Sequence, residues 1–380
     1  MRRLIAAFVA VLSLFSSTVL PARAAAPIDT IARSAYIVDM TTGTVLLDKN
    51  ADMRIPTASM SKIMTTAVVF DAIHKGQLSL SDMLPVSEKA WRMGGSKMFV
   101  ELGSKISVDD LLKGVIVQSG NDATIVLAEG LAGSENAFVD RMNAMAGEWG
   151  LKNTHFMDAS GMPDPGHYST ARDLATISEH LIRDYPEDYK YYGMREFTWH
   201  KITQPNRNPL LGKVEGADGI KTGHTEEAGY CLIGSAERNG RRVVMVVTGL
   251  PSWDDRVQES TRLMEWALRN FKVETLLKRG QVVGQAPVVY GAAKSVPLIV
   301  GADAVATVPA TYNPRDRQVK IRFMTPLVAP VKAGQTVGTV LVDVAGAGTQ
   351  EFPLLAGSAV DTKGWFALTF DKIIQAAKNK

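Results

Sequence analysis

The sequence predicts an α+β protein, with an antiparallel sheet covered by helices and a smaller C-terminal all-β domain. Two strand-like segments, residues 34–39 and 44–48, precede a long helical region, and three more lie between residues 219 and 250. Because one sheet can collect strands from both ends of a helical region, we expect the first and last segments to pair. Beyond Lys278, short valine-rich runs alternate with glycine and proline, a pattern typical of an all-β domain.

The N-terminal residues have the pattern of an export signal. Arg2 and Arg3 precede an apolar run at residues 4–20, which ends in the small-residue exit Ala22-Arg23-Ala24. This pattern predicts a cleaved signal peptide over residues 1–24, with a retained membrane anchor as the alternative. We therefore expect an exported protein that works in the periplasm.

Composition and charge limit the possible functions. Of 380 residues, 46% are hydrophobic and 21% charged, enough for one large core and a second, smaller one. The predicted leader holds three arginines and no acid, so 39 basic and 39 acidic residues remain in the rest of the chain. This balance gives no reason to expect a nucleic-acid partner. The single cysteine, Cys231, lies in an apolar run, so we expect a buried side chain and no internal disulfide.

Ser59 and Lys62 open a helix predicted over residues 59–75, with Gly76 as its C-terminal stop. Apolar residues surround this helix, so we expect it to be buried. Residues three apart share one helix face, so the two side chains should touch. Burial disfavours a charged lysine, and a neutral lysine can take a proton from a serine. The alternative is a lysine that extends to solvent beside a serine that only starts the helix.

The remaining elements follow from periodicity and capping residues. Ser107 and Thr170 have the spacing of helix caps, and Asn239-Gly240 is a two-residue hairpin turn. Helices are predicted at residues 107–118, 122–131, 135–149, 171–183 and 253–271, and late strands at 219–224, 229–238 and 241–250. We place one domain at residues 27–278 and the small β domain at 279–361. Its predicted strands lie at residues 282–283, 288–290, 296–300, 319–323 and 337–342.

Two more short motifs are able to carry chemistry. Ser119-Gly120-Asn121 falls between two predicted helices, where its side chains can project from a turn. Lys221-Thr222-Gly223-His224 falls on a predicted strand and offers a cation, a hydroxyl and a glycine that permits close approach. Taken singly, these read as ordinary turn and strand-end residues. Together with Ser59 and Lys62 they form the ordered set S-x-x-K, S-x-N and K-T-G, about 60 and about 100 residues apart.

With this set, the chain resembles the low-molecular-mass penicillin-binding proteins that are D-alanyl-D-alanine carboxypeptidases. The resemblance runs from about residue 35 to about residue 271, and more loosely through the β domain. The resemblance implies a β-lactamase/transpeptidase-like fold, a peptidoglycan stem-peptide substrate and β-lactam inhibitors. It implies catalytic roles for Ser59, Lys62 and Ser119. It implies substrate-binding roles for Asn121, Arg207, Lys221, Thr222, Gly223 and His224, with Arg207 and Thr222 on a carboxylate. It also implies an oxyanion hole from the backbone N–H groups of Ser59 and His224.

Other functions remain open at this point. The alternatives are a D,D-endopeptidase, a β-lactamase and a cell-wall binding protein without activity. Gly120 stands where the usual motif has aspartate, and no segment between Asn121 and Lys221 offers a convincing glutamate base of the class A β-lactamase kind. The six histidines show no metal-ligand spacing and no phosphate-binding loop is present, so we expect neither metal nor cofactor.

The C-terminal residues, 362–380, form a predicted amphipathic tail. Five apolar side chains fall on one helical face: Phe366, Phe370, Ile373, Ile374 and Ala377. Such a helix, rich in lysine, is suited to an anionic membrane surface, and the family resemblance implies the same. The alternatives are a helix packed on the β domain or a frayed end.

Overall fold

A computed structural model describes residues 28–344 and 348–364. Its helices are α1 (Lys62–His74), α2 (Glu88–Arg92), α3 (Val108–Ile116), α4 (Asn121–Ala132), α5 (Glu135–Glu148), α6 (Ala171–Asp184), α7 (Pro186–Tyr189) and α8 (Trp253–Arg269). Its first strands are β1 (Ser34–Asp39), β2 (Thr44–Lys49), β3 (Met83–Pro85), β4 (Lys105–Ser107), β5 (Glu196–Trp199), β6 (Ile202–Pro205), β7 (Ala217–Thr225), β8 (Gly229–Arg238) and β9 (Arg241–Leu250). The later strands are β10 (Phe271–Leu277), β11 (Val282–Val289), β12 (Ser295–Val300), β13 (Ala304–Pro309), β14 (Gln318–Phe323), β15 (Leu327–Val328), β16 (Thr336–Val344) and β17 (Gly348–Ala356).

The central sheet has five antiparallel strands in the order β2-β1-β9-β8-β7. The predicted meeting of the first and last segments is confirmed, because β1 pairs with β9 along its whole length, from Ser34–Thr248 to Asp39–Val243. The predicted α+β class is confirmed as well. Strand β7 is an edge strand of this sheet, so its outer side is free to face a ligand.

Both faces of this sheet are covered, which explains the almost unbroken apolar run in β9. Val243, Met245 and Val247 pack on α8 on one face, while Val244 and Val246 pack on the opposite face. Alternate residues of a strand point to opposite faces, so a strand buried on both sides must be apolar throughout. The second face carries the main core, which includes α1.

Helix α1 confirms the predicted buried helix. Every residue from Lys62 to Phe70 is buried. Its end is as expected, since Gly76 adopts a left-handed backbone and donates its N–H to the carbonyl of Ile73. The predicted caps are also present: Ser107 accepts the N–H of Asp110, and Thr170 accepts that of Asp173.

The second domain contains a six-stranded sheet and a two-stranded one. The six strands run β14-β16-β17-β12-β11-β15. The predicted valine-rich runs fall on strands, except that Tyr290 lies just beyond the end of its strand, and the first two runs form one strand, β11. Sequence reasoning missed β10, β13, β15 and β17.

The last long helix is shorter than predicted. It ends at Arg269 rather than Phe271, and the next residues form β10, which pairs with β13. Leu276 and Leu277 belong to the core of the β domain. We therefore propose that this domain begins near Phe271 rather than at residue 279. Its far end includes Thr362, which bridges to Gly291.

Two sequence predictions lie outside the described residues. These are the signal peptide at residues 1–24 and the helix of the tail beyond Gly364. Within residues 28–344 and 348–364, none of the helices has the length and apolar character needed to span a bilayer.

Candidate active site

Ser59 lies in a 3₁₀ turn, Ala58–Ser61, that runs directly into α1. Lys62 is the first residue of that helix, and its Nζ lies 2.8 Å from Ser59 Oγ. The same Nζ donates to Asn121 Oδ1 and to the Ser160 carbonyl, both at 2.7 Å. An ammonium has three N–H donors, so these three acceptors fix its orientation completely. The contact expected from the S-x-x-K spacing is present.

Burial changes the chemistry of Lys62. The side chain is 1% exposed, and removal from water lowers its pKa to about 7, against a smaller opposing effect of Asp158. A lysine with this pKa is partly neutral near neutral pH. It is therefore suited to take a proton from the serine beside it.

Ser119 and Lys221 meet in the same way from two other elements. Ser119 lies in the turn between α3 and α4 with a left-handed backbone, φ 60°. Its Oγ accepts from Lys221 Nζ at 3.0 Å, across from β7. Burial holds the pKa of Lys221 well below its usual value, and the nearby cations Lys62 and Arg207 lower it further.

The side-chain amide of Asn121, predicted to contact substrate, forms hydrogen bonds within the protein. Its amide oxygen accepts from Lys62, and its Nδ2 donates to the Gly94 carbonyl at 2.8 Å. Both ends of the amide are thus engaged within the protein. We expect Asn121 to hold Lys62 in place, and contact with substrate stays a prediction.

Gly223 allows β7 to lie against the Ser59 turn. A Cβ at this position would be 2.9 Å from the Thr57 carbonyl oxygen and 3.0 Å from Met60 Cγ. Real side chains do not fit at such separations, so a glycine is needed here for close approach. The edge strand and the serine turn therefore form two adjoining walls.

Between these walls lies a cleft of about 430 Å³. It is lined by Ser59, Ser96, Ser119, Arg207, Thr222, Gly223, His224, Tyr230, Trp253 and Arg256. The His224 ring stacks on Tyr230 with ring centres 4.0 Å apart. Sequence reasoning missed Ser96, Tyr230, Trp253 and Arg256, which lie in no recognisable motif.

Arg207 and Arg256 bring two guanidinium groups to one cleft. Arg207 donates to Ser96 Oγ. Arg256 is 3% exposed and stacks over the Trp253 ring at 4.3 Å, and its buried Nε has no hydrogen-bond partner among the described residues. Burial lowers the pKa of Arg256 to about 10 and also lowers that of Arg207. One of these cations is buried and the other half-buried, and neither has an acidic partner among the described residues, so the pair is suited to bind an anionic group.

Gly120, in the turn between α3 and α4, has no room for a side chain. Asp122 is buried, and its carboxylate accepts the backbone N–H groups of Met98, Phe99 and Val100. A Cβ on Gly120 would lie 2.9 Å from Asp122 Oδ1 and 3.0 Å from the Met98 nitrogen. The carboxylate at position 122 therefore occupies the space next to this residue, and a larger residue would displace it.

Comparison with known proteins agrees with this arrangement. Residues 21–252 match the family model described as D-alanyl-D-alanine carboxypeptidase. The chain is also 39% identical to the D-alanyl-D-alanine carboxypeptidase DacA of Haemophilus influenzae, over 91% of this chain and 90% of that protein. The chain belongs to the D-alanyl-D-alanine carboxypeptidase family. Residues 271–362 match the model for the C-terminal domain of penicillin-binding protein 5.

Solved structures align with the whole or with part of this architecture. Penicillin-binding protein 5 from Haemophilus influenzae aligns with a TM-score of 0.76 at 39% identity, covering 88% of this chain and 99% of that one. Penicillin-binding protein D2 from Listeria monocytogenes, solved in a cefotaxime-bound form, aligns with a TM-score of 0.59 at 33% identity, covering 64% and 99%. A D-alanyl-D-alanine endopeptidase from Pseudomonas aeruginosa is 34% identical, but over only 61% of this chain and 76% of that protein.

Proposed function

We propose that this carboxypeptidase removes the terminal D-alanine from peptidoglycan stem pentapeptides through an acyl-enzyme on Ser59. One observation carries the proposal: the nitrogen of Lys62, buried and oriented by its neighbours, lies 2.8 Å from a serine hydroxyl that opens on the cleft. A nucleophile needs a base within hydrogen-bond reach and a third group that orients the base. Asn121 and Ser160 supply that orientation.

The steps follow from the positions of the side chains. Ser59 Oγ attacks the carbonyl carbon of the penultimate D-alanine while Lys62 takes its proton. The leaving amine of the last D-alanine receives a proton from the Ser119–Lys221 pair, and water then hydrolyses the ester. The backbone N–H groups of Ser59 and His224 are the proposed oxyanion hole, which lowers the barrier by about 3 kcal/mol per donor in comparable sites. Because Lys62 must be neutral to accept the proton, acylation should slow as the pH falls below about 7.

The cleft favours this activity over that of a β-lactamase. Among the described residues that line the cleft, none is an aspartate or glutamate. A rapid β-lactamase of class A needs a glutamate to activate the deacylating water. β-Lactams are therefore proposed to act as inhibitors that leave a long-lived acyl adduct on Ser59.

Two other candidates account less well for the site. An endopeptidase cleaves inside a cross-link and has less need for cations beside the scissile bond, whereas Arg207 and Arg256 both line this cleft. A cell-wall binding protein would not need the buried Lys62–Ser59 contact, whose desolvation is costly.

The test is mass spectrometry of a synthetic pentapeptide ending in D-Ala-D-Ala after incubation with the mature protein. We expect loss of one alanine. The Ser59→Ala variant should lose this activity and its labelling by a fluorescent penicillin, whereas Ser81→Ala, at an exposed position outside the cleft, should retain both. Activity or labelling that survives in Ser59→Ala would refute the assignment.

The location of the enzyme is a further part of the proposal. The export pattern at residues 1–24 supports a periplasmic location. The lysine-rich C-terminal tail supports peripheral contact with the outer face of the inner membrane.

A further inference from the structure

A second group of polar side chains lies beneath the Ser59 turn. Ser61 Oγ is 2.7 Å from His167 Nε2, and His167 Nδ1 is 3.1 Å from Asp158 Oδ2. Ser61 has no exposed surface and His167 is 4% exposed. Carboxylate, imidazole and hydroxyl have here the order of a hydrolase triad, but a hydroxyl without solvent access cannot attack a substrate. The group must act through its neighbours.

The hydroxyl end of this group holds the turn that presents the nucleophile. Ser61 Oγ also contacts Thr57 Oγ1 at 2.5 Å, so one hydroxyl links both ends of the turn to His167. Ala58, between them, has a left-handed backbone with φ 46°. A non-glycine residue in that region needs surrounding contacts to keep it there.

The carboxylate end holds an acceptor of Lys62. Asp158 Oδ1 accepts the Ser160 N–H at 2.7 Å, the Ser160 hydroxyl at 2.8 Å and the Gly161 N–H at 2.7 Å. The Ser160 carbonyl, in the same turn, accepts from Lys62 Nζ. A Cβ on Gly161 would be 1.9 Å from the Ala58 carbonyl oxygen, so this turn packs directly on the Ser59 turn.

The charge of Asp158 also reaches Lys62. Burial raises the pKa of the Asp158 carboxyl, but hydrogen bonds from His167 and Ser160 outweigh this and hold its pKa well below the usual range, so it is an anion at working pH. The charged groups that face Lys62 are Asp158 from this loop, Asp122 from α4, Arg207 from the segment after β6 and Lys221 from β7. Of the four, Asp158 has the largest Coulombic effect on the pKa of Lys62, and it raises that pKa.

We propose that Asp158 and His167 are positioning residues: His167 holds the Ser59 turn through Ser61, and Asp158 places the Ser160 carbonyl and a negative charge against the Lys62 ammonium. The proposal rests on the proposed role of Lys62 as the base. It goes beyond that role because it assigns the orientation and proton affinity of the base to residues outside the cleft.

The experiment is the rate of acylation by a fluorescent penicillin, measured over a pH range on both sides of about 7. Asp158→Asn keeps the size of the side chain and removes its charge. Below about pH 7 the rate should fall, which gives the pH–rate profile an acidic limb. Without the anion the lysine loses its proton more easily, so this acidic limb should move to lower pH by roughly one unit. The rate on the plateau should fall by about tenfold, because the Ser160 turn is held less well.

Ser61→Ala tests the other half without altering any charge. The plateau rate should fall by about threefold or more, while the acidic limb stays in place. The matched control is Asp164→Asn, in the same loop, where an exposed carboxylate accepts the Gly166 N–H. This control should change neither the rate nor the limb.

The outcomes separate the two proposals. If the unmodified protein is never acylated, the proposed function fails. If it is acylated with an acidic limb and Asp158→Asn leaves that limb in place, the role of the Asp158 charge is overturned. An unchanged plateau rate in Ser61→Ala overturns the role of His167. Should Asp158→Asn fail to fold in a thermal unfolding assay, the Ser61→Ala result still decides the positioning role.

Discussion

Two arginines line the cleft, and we propose that they select the end of the peptide that carries a free carboxylate. Arg207 donates to Ser96 and is partly committed within the protein, whereas Arg256 has a buried Nε without a partner among the described residues. A guanidinium binds a carboxylate with two parallel hydrogen bonds, each worth about 1.5–3 kcal/mol when charge-assisted. We therefore expect the free carboxylate of a terminal D-alanine to bind at these two groups, and a C-terminal amide to bind less well.

Replacing Arg207 with Ala should lower kcat/KM for a D-Ala-D-Ala pentapeptide by about tenfold or more. The same peptide with a C-terminal amide should be a poor substrate for the unmodified enzyme, and it should be much less sensitive to the substitution. Release of alanine, followed by mass spectrometry, measures both.

Arg195→Ala is the matched control. Arg195 is exposed, and its carbonyl accepts the N–H of Asn206 at the base of the hairpin formed by β5 and β6. Its side chain does not line the cleft. If the unmodified enzyme cleaves the amide as fast as the free acid, carboxylate recognition is wrong and the endopeptidase alternative gains support.

At the scale of elements, the site depends on the distance between β7 and the Ser59 turn. The backbone of Gly223 reaches the Thr57 carbonyl with no space for a methyl group. Gly223→Ala should force the strand away from the turn and lower the acylation rate by about tenfold to 100-fold, since small displacements of reacting groups are costly. Labelling rates with a fluorescent penicillin measure this loss.

Gly147→Ala is the comparison variant for that experiment. Gly147 lies in α5, and a Cβ there would meet no atom within 4 Å. This substitution should leave acylation unchanged and stabilise the fold by about 0.5–1 kcal/mol in thermal unfolding. If Gly223→Ala labels as fast as Gly147→Ala, close approach of β7 is not required.

At the scale of the whole molecule, the β domain lies away from the cleft. Thr42 Oγ1, in the hairpin of β1 and β2, contacts Thr307 Oγ1 of β13 at 2.6 Å, and Gln350 Nε2 of β17 donates to Thr44 Oγ1 at 3.1 Å. These contacts lie beside β2, at one edge of the central sheet, whereas the cleft lies along β7, at the other. The β domain is therefore suited to hold the enzyme domain at a distance from whatever the tail binds.

Deleting residues 364–380 should release the mature protein from anionic liposomes in a flotation assay. The deleted residues carry three lysines and one acid, and lysines near an anionic surface contribute about 1 kcal/mol each. Neutral liposomes are the control, and they should bind both forms weakly. Equal flotation of the two forms on anionic liposomes would reject membrane association.

Local patterns were enough to predict most of the helices and strands of the enzyme domain. β1, β8 and β9 begin and end where alternation and turn residues predicted, and the caps at Ser107 and Thr170 are present. The contact between Ser59 and Lys62 was predictable for the same reason, because helix geometry brings residues three apart together. Strands were missed in both domains, β3 to β6 in the enzyme domain and β10, β13, β15 and β17 in the β domain, because most of them are defined by pairing with distant partners.

The parts of the site that sequence reasoning missed come from distant segments. Arg256 on α8 looks like a surface residue of an amphipathic helix, and only the packing of α8 beside β8 turns it into the cleft. Asp158, His167 and Ser61 are separated by up to 106 residues along the chain. No motif relates these three residues, and their meeting depends on how the loop that carries Asp158 and His167 folds over the Ser59 turn. The burial of Lys62 also depends on distant segments. The motif identifies this lysine, but its low pKa arises from the surrounding elements that exclude water.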